Sequence, residues 1–455
     1  MYYLHKKITE KCEFYRKETI YMNISIIVLS HNNEHISLVL KCLLRQLKKD
    51  DEIIVVDDHS ETAYLKKLEL FTTENNIVLI HANKINNRSH NRNIGAKYAQ
   101  GQILLFVDGD MILIDNALML LRDAHTYNHQ KAFIGPKHNI HYDEIHFELF
   151  TGIKNYIELL DTPEGRKQLS EDYFSRDERK DFFADSSNQK FFWMHYYTGA
   201  SSVSREIFEK CAGFDENFTS WGSEDVDFGY RISKYCDIGF LDNFHSFHIP
   251  HNRDTFAIET SNMNNILQML EKYKTWEFEA LYAFNGNPNI HKSVYNIINQ
   301  MRTLPLLPIK NIDATTFLII NTISKEYPYG NVITFDGNTH KEYRLLGLAI
   351  PFKNKTFHTI CISEDVFIYP PILVSRILQE ALRVGEKVYI QKRTTNIRID
   401  WNGKIFFPFQ STNHKIAYRS EDIMDYSFEA MGDKINVFSN LPENVVRNPI
   451  FWENE

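Results

Sequence analysis

Four short apolar runs, three of them ending in a polar or acidic cluster, constrain this chain more than any other feature of its sequence. Residues 23–29 (NISIIVL) stop at Ser30-His31-Asn32-Asn33, residues 52–56 stop at Asp57-Asp58-His59-Ser60, residues 77–81 follow, and residues 103–107 (ILLFV) stop at Asp108-Gly109-Asp110. Between them, residues 36–47, 63–71 and 91–99 have helical character. Apolar runs too short for helices, alternating with helical stretches, predict parallel strands joined by crossover helices, an α/β fold. In such sheets ligands bind in the crevice beyond the carboxyl ends of the strands, where these acids collect. Any one of them taken singly is equally explained as a turn or helix-cap residue, and it is their recurrence in register that favours a site.

The chain has 455 residues, which suggests two or three domains at roughly 100–200 residues each. A Pro-bearing stretch at 304–309 (LPLLPI) marks the cut, giving an N-terminal extension over 1–22, a catalytic domain over 23–300 and an accessory domain over 301–455. A net charge of −8 argues against nucleic acid as a partner. The five cysteines form no C-x-x-C pair and are expected to be reduced, buried thiols. No secretory leader and no apolar run of about 18–20 residues is visible, so a cytoplasmic protein without a transmembrane segment is expected. Residues 161–190 are strongly charged and read as a solvated insertion, with an active-site lid as the alternative.

Asp108 and Asp110 follow a buried-looking strand, and Gly109 between them is expected to let the backbone turn so that both carboxylates face one point. Paired carboxylates suit a hard divalent cation shared with substrate phosphates, Mn2+ or Mg2+. Such an ion would offset charge on a nucleoside diphosphate leaving group. Glu224 and Asp225, within Trp221-Gly222-Ser223-Glu224-Asp225-Val226-Asp227, are candidates for the base that deprotonates an acceptor, though acids there also suit the first turn of a helix. Trp221 beside Gly222 is a candidate sugar-stacking wall. His248 and His251, three apart, could each complete a metal site made otherwise of carboxylates.

Taken in order, these motifs resemble the GT-A glycosyltransferases of the inverting family 2 type over about residues 23–255. Ser30-His31-Asn32 is similar to the family's base-lining segment, with Leu29 where proline is usual and His31 where tyrosine is. Val56-Asp57-Asp58-His59-Ser60 resembles the V-D-D-G-S signature, Asn91-Arg92-Asn93-Ile94-Gly95 the A-R-N-x-G segment that closes over the nucleotide, and Asp108-Gly109-Asp110 the D-x-D. Trp221-Gly222-Ser223-Glu224-Asp225, preceded by Gly199-Ala200-Ser201 and Gly213-Phe214-Asp215-Glu216, resembles the W-G-x-E-D motif of β-1,4-galactosyltransferases, chondroitin-type polymerases and polypeptide N-acetylgalactosaminyltransferases.

The resemblance implies a UDP-sugar donor held by Ser30, Asp58, Arg92, Asp108 and Trp221, with Asp225 as catalytic base and Glu224 as its acceptor-side partner. It implies Asp110 as a direct metal ligand and Asp108 as a ribose contact or a ligand through water. His251, in a segment similar to H-S-R-D, is ranked above His248 as the third ligand. The acceptor stays open among glycan, protein and peptide. The C-terminal strand order resembles class I methyltransferases, with runs at 317–320, 331–336, 349–352, 356–363 and 387–390 and a helix near 371–383. Asn321-Thr322-Ile323-Ser324 stands where their glycine-rich cofactor turn would be. A Rossmann-like remnant serving acceptor recognition or homo-oligomerisation is therefore expected. Two rivals stand beside the transferase, a catalytically silent glycan- or peptide-binding module and a sugar nucleotidyltransferase.

Overall fold

The computed structural model describes residues 22–113, 115–127, 132–139, 162–165, 177, 179–249, 255–286, 316–320, 332–336, 339–363, 371–391, 405–407 and 416–418. The chain divides into two compact units, Met1–Ser261 and Asn262–Glu455. The Pro-bearing stretch at 304–309, most of the charged stretch at 161–176, and His251 lie outside the described residues.

The first unit opens with the expected alternation: β1 (Ile24–Ser30), α1 (Ile36–Leu44), β2 (Glu52–Asp57), α2 (Thr62–Glu74), β3 (Val78–His81), α3 (Arg88–Tyr98) and β4 (Ile103–Asp108). It continues through β5 (Met111–Leu113), α4 (Ala117–Tyr127), β6 (Ala132–Ile134), β7 (Lys137–Asn139), α5 (Arg179–Ala184), a 3-10 segment (Ser186–His195), β8 (Ala200–Ser204), α6 (Arg205–Lys210), α7 (Glu224–Ile232), β9 (Ile238–Phe240) and β10 (Ser246–His248). Seven strands form one sheet in the order β3-β2-β1-β4-β8-β6-β9. Its first four strands are parallel, and β8 is antiparallel to both β4 and β6.

Chain order reverses at β1, which pairs with β2 on one side and β4 on the other, so the crevice beyond these strand ends is the topological switch point. Ser30 and Asp108 terminate the two strands that flank it. The runs in β1 and β4 are mostly apolar because these strands are covered on both faces: Ile26, Ile27 and Val28 of β1 and Leu104 and Leu105 of β4 have no solvent exposure. Gly95 of α3 lets that helix settle on β1, since a Cβ there would lie 2.5 Å from Ile27 Cγ2. A second sheet, β5-β10-β7, starts directly after the D-G-D turn.

Glycine at 109 is needed for a reason other than the one expected. Its φ is not in the left-handed region, but a Cβ would lie 2.4 Å from the Leu29 carbonyl oxygen. The D-G-D turn is thus pressed onto the end of β1, and Asn33 fastens it by donating from Nδ2 to the Gly109 carbonyl at 2.6 Å. The end of the charged stretch also departs from a solvated insertion. Phe182 and Asn188 are buried there, and Phe183 stacks on Phe240.

Helix α8 (Thr255–Tyr273) runs from the first unit into the second, followed by α9 (Trp276–Ala283), β11 (Thr316–Ile320), β12 (Val332–Asp336), β13 (Thr339–Tyr343), β14 (Phe357–Ser363), α10 (Pro371–Val384), β15 (Gly385–Gln391), β16 (Ile405–Phe407) and β17 (Ile416–Tyr418). A five-stranded mixed sheet is ordered β13-β12-β11-β14-β15. β14 and β15 run parallel to β11, but β12 is antiparallel to it, with Thr316 opposite Asp336. That pairing corrects the methyltransferase likeness, which implies a parallel crossover between the first two strands. Residues 349–352 are a loop rather than a strand, because the Ile350 N–H is taken by Glu380 Oε2 at 2.9 Å instead of a neighbouring strand.

Candidate active site

Each strand end at the switch point holds its loop by side-chain bonds. Asp58 donates its N–H to the Ser30 carbonyl at 2.8 Å, and its own carbonyl meets His31 Nδ1 at 2.7 Å. Asp58 Oδ1 accepts the Asn86 N–H at 3.1 Å. Asn32, in the left-handed region with φ 44°, bonds Ser60 Oγ through its N–H and accepts from the Glu61 N–H. Ser30 and Asp58, both expected at the nucleotide, are therefore brought side by side.

Arg92 is almost fully buried, with its Nη1 at 2.8 Å from Glu224 Oε1 and its Nη2 at 3.2 Å from Asp108 Oδ1. The Phe214 ring lies beneath the guanidinium, 5.3 Å from centroid to Cζ. Burial works against its charge, but the carboxylates of Asp108 and Glu224 outweigh that and raise its pKa. Arg92 thus ties the end of β4 to the start of α7, reaching 16 residues along the chain to Asp108 and 132 to Glu224. Its helix is anchored beside it: Glu216 takes Lys84 Nζ at 2.5 Å, His90 Nδ1 at 2.8 Å and Asn93 Nδ2 at 3.1 Å. Burial opposes ionisation of Glu216, but these donors hold its carboxyl down at about 2.

The three acids of α7 go three ways. Asp227 is fully buried and pairs with Arg231 at 2.8 Å, which in turn bonds the carbonyls of Cys211 and Gly213, so it belongs to the framework. Glu224 gives one oxygen to Arg92, and Arg92 holds it ionised against its burial. Asp225 is half-buried and accepts the N–H of Thr198 at 3.3 Å and that of Val226 at 2.8 Å. Burial first, and the neighbouring Glu224 charge second, push its carboxyl up to about 7. The turn that delivers these acids is strained: Gly222 has φ 99° and Ser223, a non-glycine residue, φ 61°. Trp221 before it stands exposed, its carbonyl accepting Ser261 Oγ at 2.7 Å.

Asp110 meets a histidine, His248, while His251 lies outside the described residues. His248 Nε2 lies 3.2 Å from Asp110 Oδ2, because β10 pairs antiparallel with β5 and sets His248 opposite Met111. Among the described residues no group of three or more His, Cys, Asp and Glu forms a ready metal cage. The residues present nonetheless fit a divalent ion. Ligand atoms about 2.0–2.1 Å from an octahedral cation are roughly 3 Å from each other. One carboxylate oxygen and one imidazole nitrogen suit manganese.

Residues that the sequence did not single out also converge here. Asp177 Oδ2 accepts the Lys137 N–H at 2.7 Å and binds Arg179 Nη2 at 2.6 Å, while Arg179 donates to the Gly135 carbonyl at 2.9 Å. Both lie in the charged stretch, where nothing in the local pattern separates a paired acid from a solvated one. Thr198, which positions Asp225, stands just before a glycine that the family motif does mark.

Residues 25–211 match the family model for glycosyl transferase family 2. Residues 179–252 match that of the N-terminal domain of galactosyltransferase. Chondroitin synthase of Pasteurella multocida (strain Pm70) is 26% identical over 241 residues, 50% of this chain and 25% of that protein. Hyaluronan synthase of Pasteurella multocida is 28% identical over 239 residues, 48% of this chain and 24% of that protein. Validoxylamine A glucosyltransferase of Streptomyces hygroscopicus subsp. limoneus is 24% identical over 271 residues, 57% of this chain and 59% of that protein. The chain therefore spans about a quarter of the first two relatives and somewhat over half of the third. The crystal structure of GalNAc-T7 with UDP, GalNAc and Mn2+ superposes on 60% of the chain and 54% of its own at a TM-score of 0.41 and 15% identity, too loosely to bear on function. Fold, site and family matches define the class: the chain carries a glycosyltransferase domain of the GT-A type. Within that class, family 2 is the description that residues 25–211 match.

Proposed function

We propose that this chain is an inverting glycosyltransferase that moves a hexose or N-acetylhexosamine from a UDP-sugar to a glycan, protein or peptide acceptor. The observation that carries this reading is Asp225: a half-buried carboxyl at the start of α7, fixed by two backbone N–H groups and pushed up to about 7. A base matched to the working pH is what deprotonation of an acceptor hydroxyl requires. Glu224 and Asp227 are already engaged with Arg92 and Arg231, which leaves Asp225 as the acid of that turn suited to the task. A single positioned base that takes the acceptor proton suits a single in-line displacement with inversion.

Asp110 and His248 would hold a divalent ion, with His251 a further ligand by resemblance and Asp108 a water-mediated one. When bound, that ion supplies Lewis-acid stabilisation of the diphosphate. Ser30, Asp58 and Asp108 would meet the nucleoside, Arg92 fixes Asp108 and Glu224 in place, and Trp221 would stack on sugar. Relatives named as chondroitin and hyaluronan synthases support a glycan acceptor. No helix among the described residues is long and apolar enough to cross a membrane, and a cytoplasmic location belongs to the proposal. The second unit is assigned acceptor recognition or self-association.

A screen of nucleotide sugars for hydrolysis, with and without manganese, tests the donor without knowledge of the acceptor. Asp225→Asn is expected to abolish transfer while keeping manganese-dependent UDP binding. Transfer retained in that variant would overturn the base assignment. A silent binding module would show no manganese-dependent UDP binding at all, and a nucleotidyltransferase would release pyrophosphate from UTP.

A further inference from the structure

Arg376, in the second unit, is a half-buried cation that forms no ion pair with any described residue. It stands at loop 345–350, between β13 and β14, which is held between two helices. Glu279 of α9 takes the N–H groups of Leu346, Gly347 and Ala349. From the other side, Glu380 of α10 takes the Ile350 N–H, and Arg383 donates to the Ile350 carbonyl at 2.7 Å. Helix residues three or four apart share a face. Tyr282 lies three beyond Glu279 and Arg376 four before Glu380, so each stands one turn along the face that its helix presents to the loop. Arg376 reaches the loop itself, donating from Nε to the Leu348 carbonyl at 3.2 Å.

Both side chains keep polar atoms unused. Among the described residues the two Nη atoms of Arg376 meet no acceptor, and Glu380, one turn on, is engaged by Arg383 at 2.8 Å. Tyr282 is only 8% exposed, and its hydroxyl likewise has no hydrogen-bond partner among the described residues, although solvent still reaches it. Burial raises the Tyr282 phenol, with the Arg376 charge the strongest influence against it. Burial pulls the Arg376 guanidinium down, because Glu380 offsets too little of the cost. Arg92 shows the opposite balance, since two bound carboxylates outweigh its burial. Charges taken from water are ordinarily paired, so Arg376 is half of an ion pair whose other half comes from outside the chain. A guanidinium fork matches the two oxygens of a carboxylate, and a phenol beside it supplies a further donor. One unpaired cation calls for one negative charge; the second charge of a phosphate dianion would face Glu380 unmatched.

We propose that Arg376 and Tyr282 form a carboxylate-binding site in the second unit, the guanidinium taking both oxygens and the phenol donating a third hydrogen bond. The site shares no residue with the one around Asp108 and Asp225. A sugar acid and a simple organic acid both offer that group, and the test separates them. Binding of glucuronate, acetate, glucose and inorganic phosphate to the full chain is followed by NMR titration into the millimolar range, in the wild type, Arg376→Gln and Tyr282→Phe. Glucuronate should bind and glucose should not. Loss of charge-assisted hydrogen bonds predicts weaker glucuronate binding, by roughly 10–100-fold in Arg376→Gln and by about tenfold in Tyr282→Phe. Thermal melts report folding. If the glutamine variant does not fold, Arg376→Lys, which keeps the charge without the fork, takes its place with a smaller loss expected. Glucuronate bound well ahead of acetate supports the site with a sugar acid as its ligand, and equal binding supports it with the carboxylate alone recognised. The site is overturned by phosphate binding more tightly than either acid, by carboxylate binding that neither variant weakens, or by no carboxylate binding at all. None of these outcomes touches manganese-dependent UDP binding or the Asp225→Asn result, which test transfer separately.

Discussion

Glu224 and Glu279 occupy the same kind of position, the first turn of a helix in each of the two units, and both are buried. Their surroundings differ. Glu279 is closed on every side by its own chain: Oε1 accepts the N–H groups of Gly347 and Ala349 at 2.7 and 3.1 Å, and Oε2 that of Leu346 at 2.5 Å. Glu224 engages one oxygen with Arg92, and its other oxygen meets no hydrogen-bond partner among the described residues. Its neighbour Asp225 is pushed up to about 7, where a carboxyl can exchange a proton. A raised carboxyl does not by itself separate the two, since burial pushes Glu279 up to about 8 against its backbone donors. The difference is that Glu279 is saturated by backbone and holds a loop in place, whereas Glu224 keeps one oxygen without a hydrogen-bond partner among the described residues beside Asp225.

The largest effect separating the two regions belongs to Asp225. Removing a positioned general base costs about 10²–10⁴-fold in rate. Asp225→Asn should show that loss in transfer kinetics with an unchanged melting curve. Glu279→Ala should do the reverse. It strands three buried N–H groups at roughly 1–3 kcal/mol each before relaxation, so a loss of about 3 kcal/mol or more is expected in denaturant unfolding. Glu279→Gln, which turns an amide N–H toward the Leu346 N–H, should fall between wild type and alanine. Glu224→Gln keeps an acceptor for Arg92 and should leave stability within about 1 kcal/mol of wild type. Glu224→Gln as damaging to stability as Glu279→Ala would break the comparison.

Next in size is the metal pair. His248→Ala should raise the manganese concentration needed for half-maximal UDP binding by roughly 10–100-fold, as even partners one step removed from a metal do. The same substitution at His251 measures which of the two histidines matters more. An unchanged manganese requirement in His248→Ala would remove it from the ligand set.

Much of the first unit was legible because its strands are covered on both faces, and double burial writes itself as uninterrupted apolar runs such as residues 103–107. The acids at their ends were legible for the complementary reason, since a charge directly after such a run has nowhere to go but the strand end. The His248 contact was not. It depends on the register of β10 against β5, set by two three-residue strands far apart in sequence. Asp177 and Arg179 were hidden too, because a paired acid and a solvated acid look alike within a charged stretch. In the second unit the antiparallel course of β12 escaped for a third reason: an apolar run records burial but not direction.

The smallest effect is the most discriminating, because it divides the two causes that act on Asp225. A base must be deprotonated to work, so a carboxyl raised to about 7 predicts that kcat/KM falls as pH drops through 7. Below that point the loss should be about tenfold for each pH unit. Burial is the larger cause of the raised value and the Glu224 charge the second, with Arg92 acting in the opposite direction. Glu224→Gln removes only the second, so the acid limb should move down by about one pH unit and still lie above the ordinary aspartate range. A limb that stays in place would mean that the two carboxyls do not sense each other, and α7 would then present its acids as separate first-turn charges.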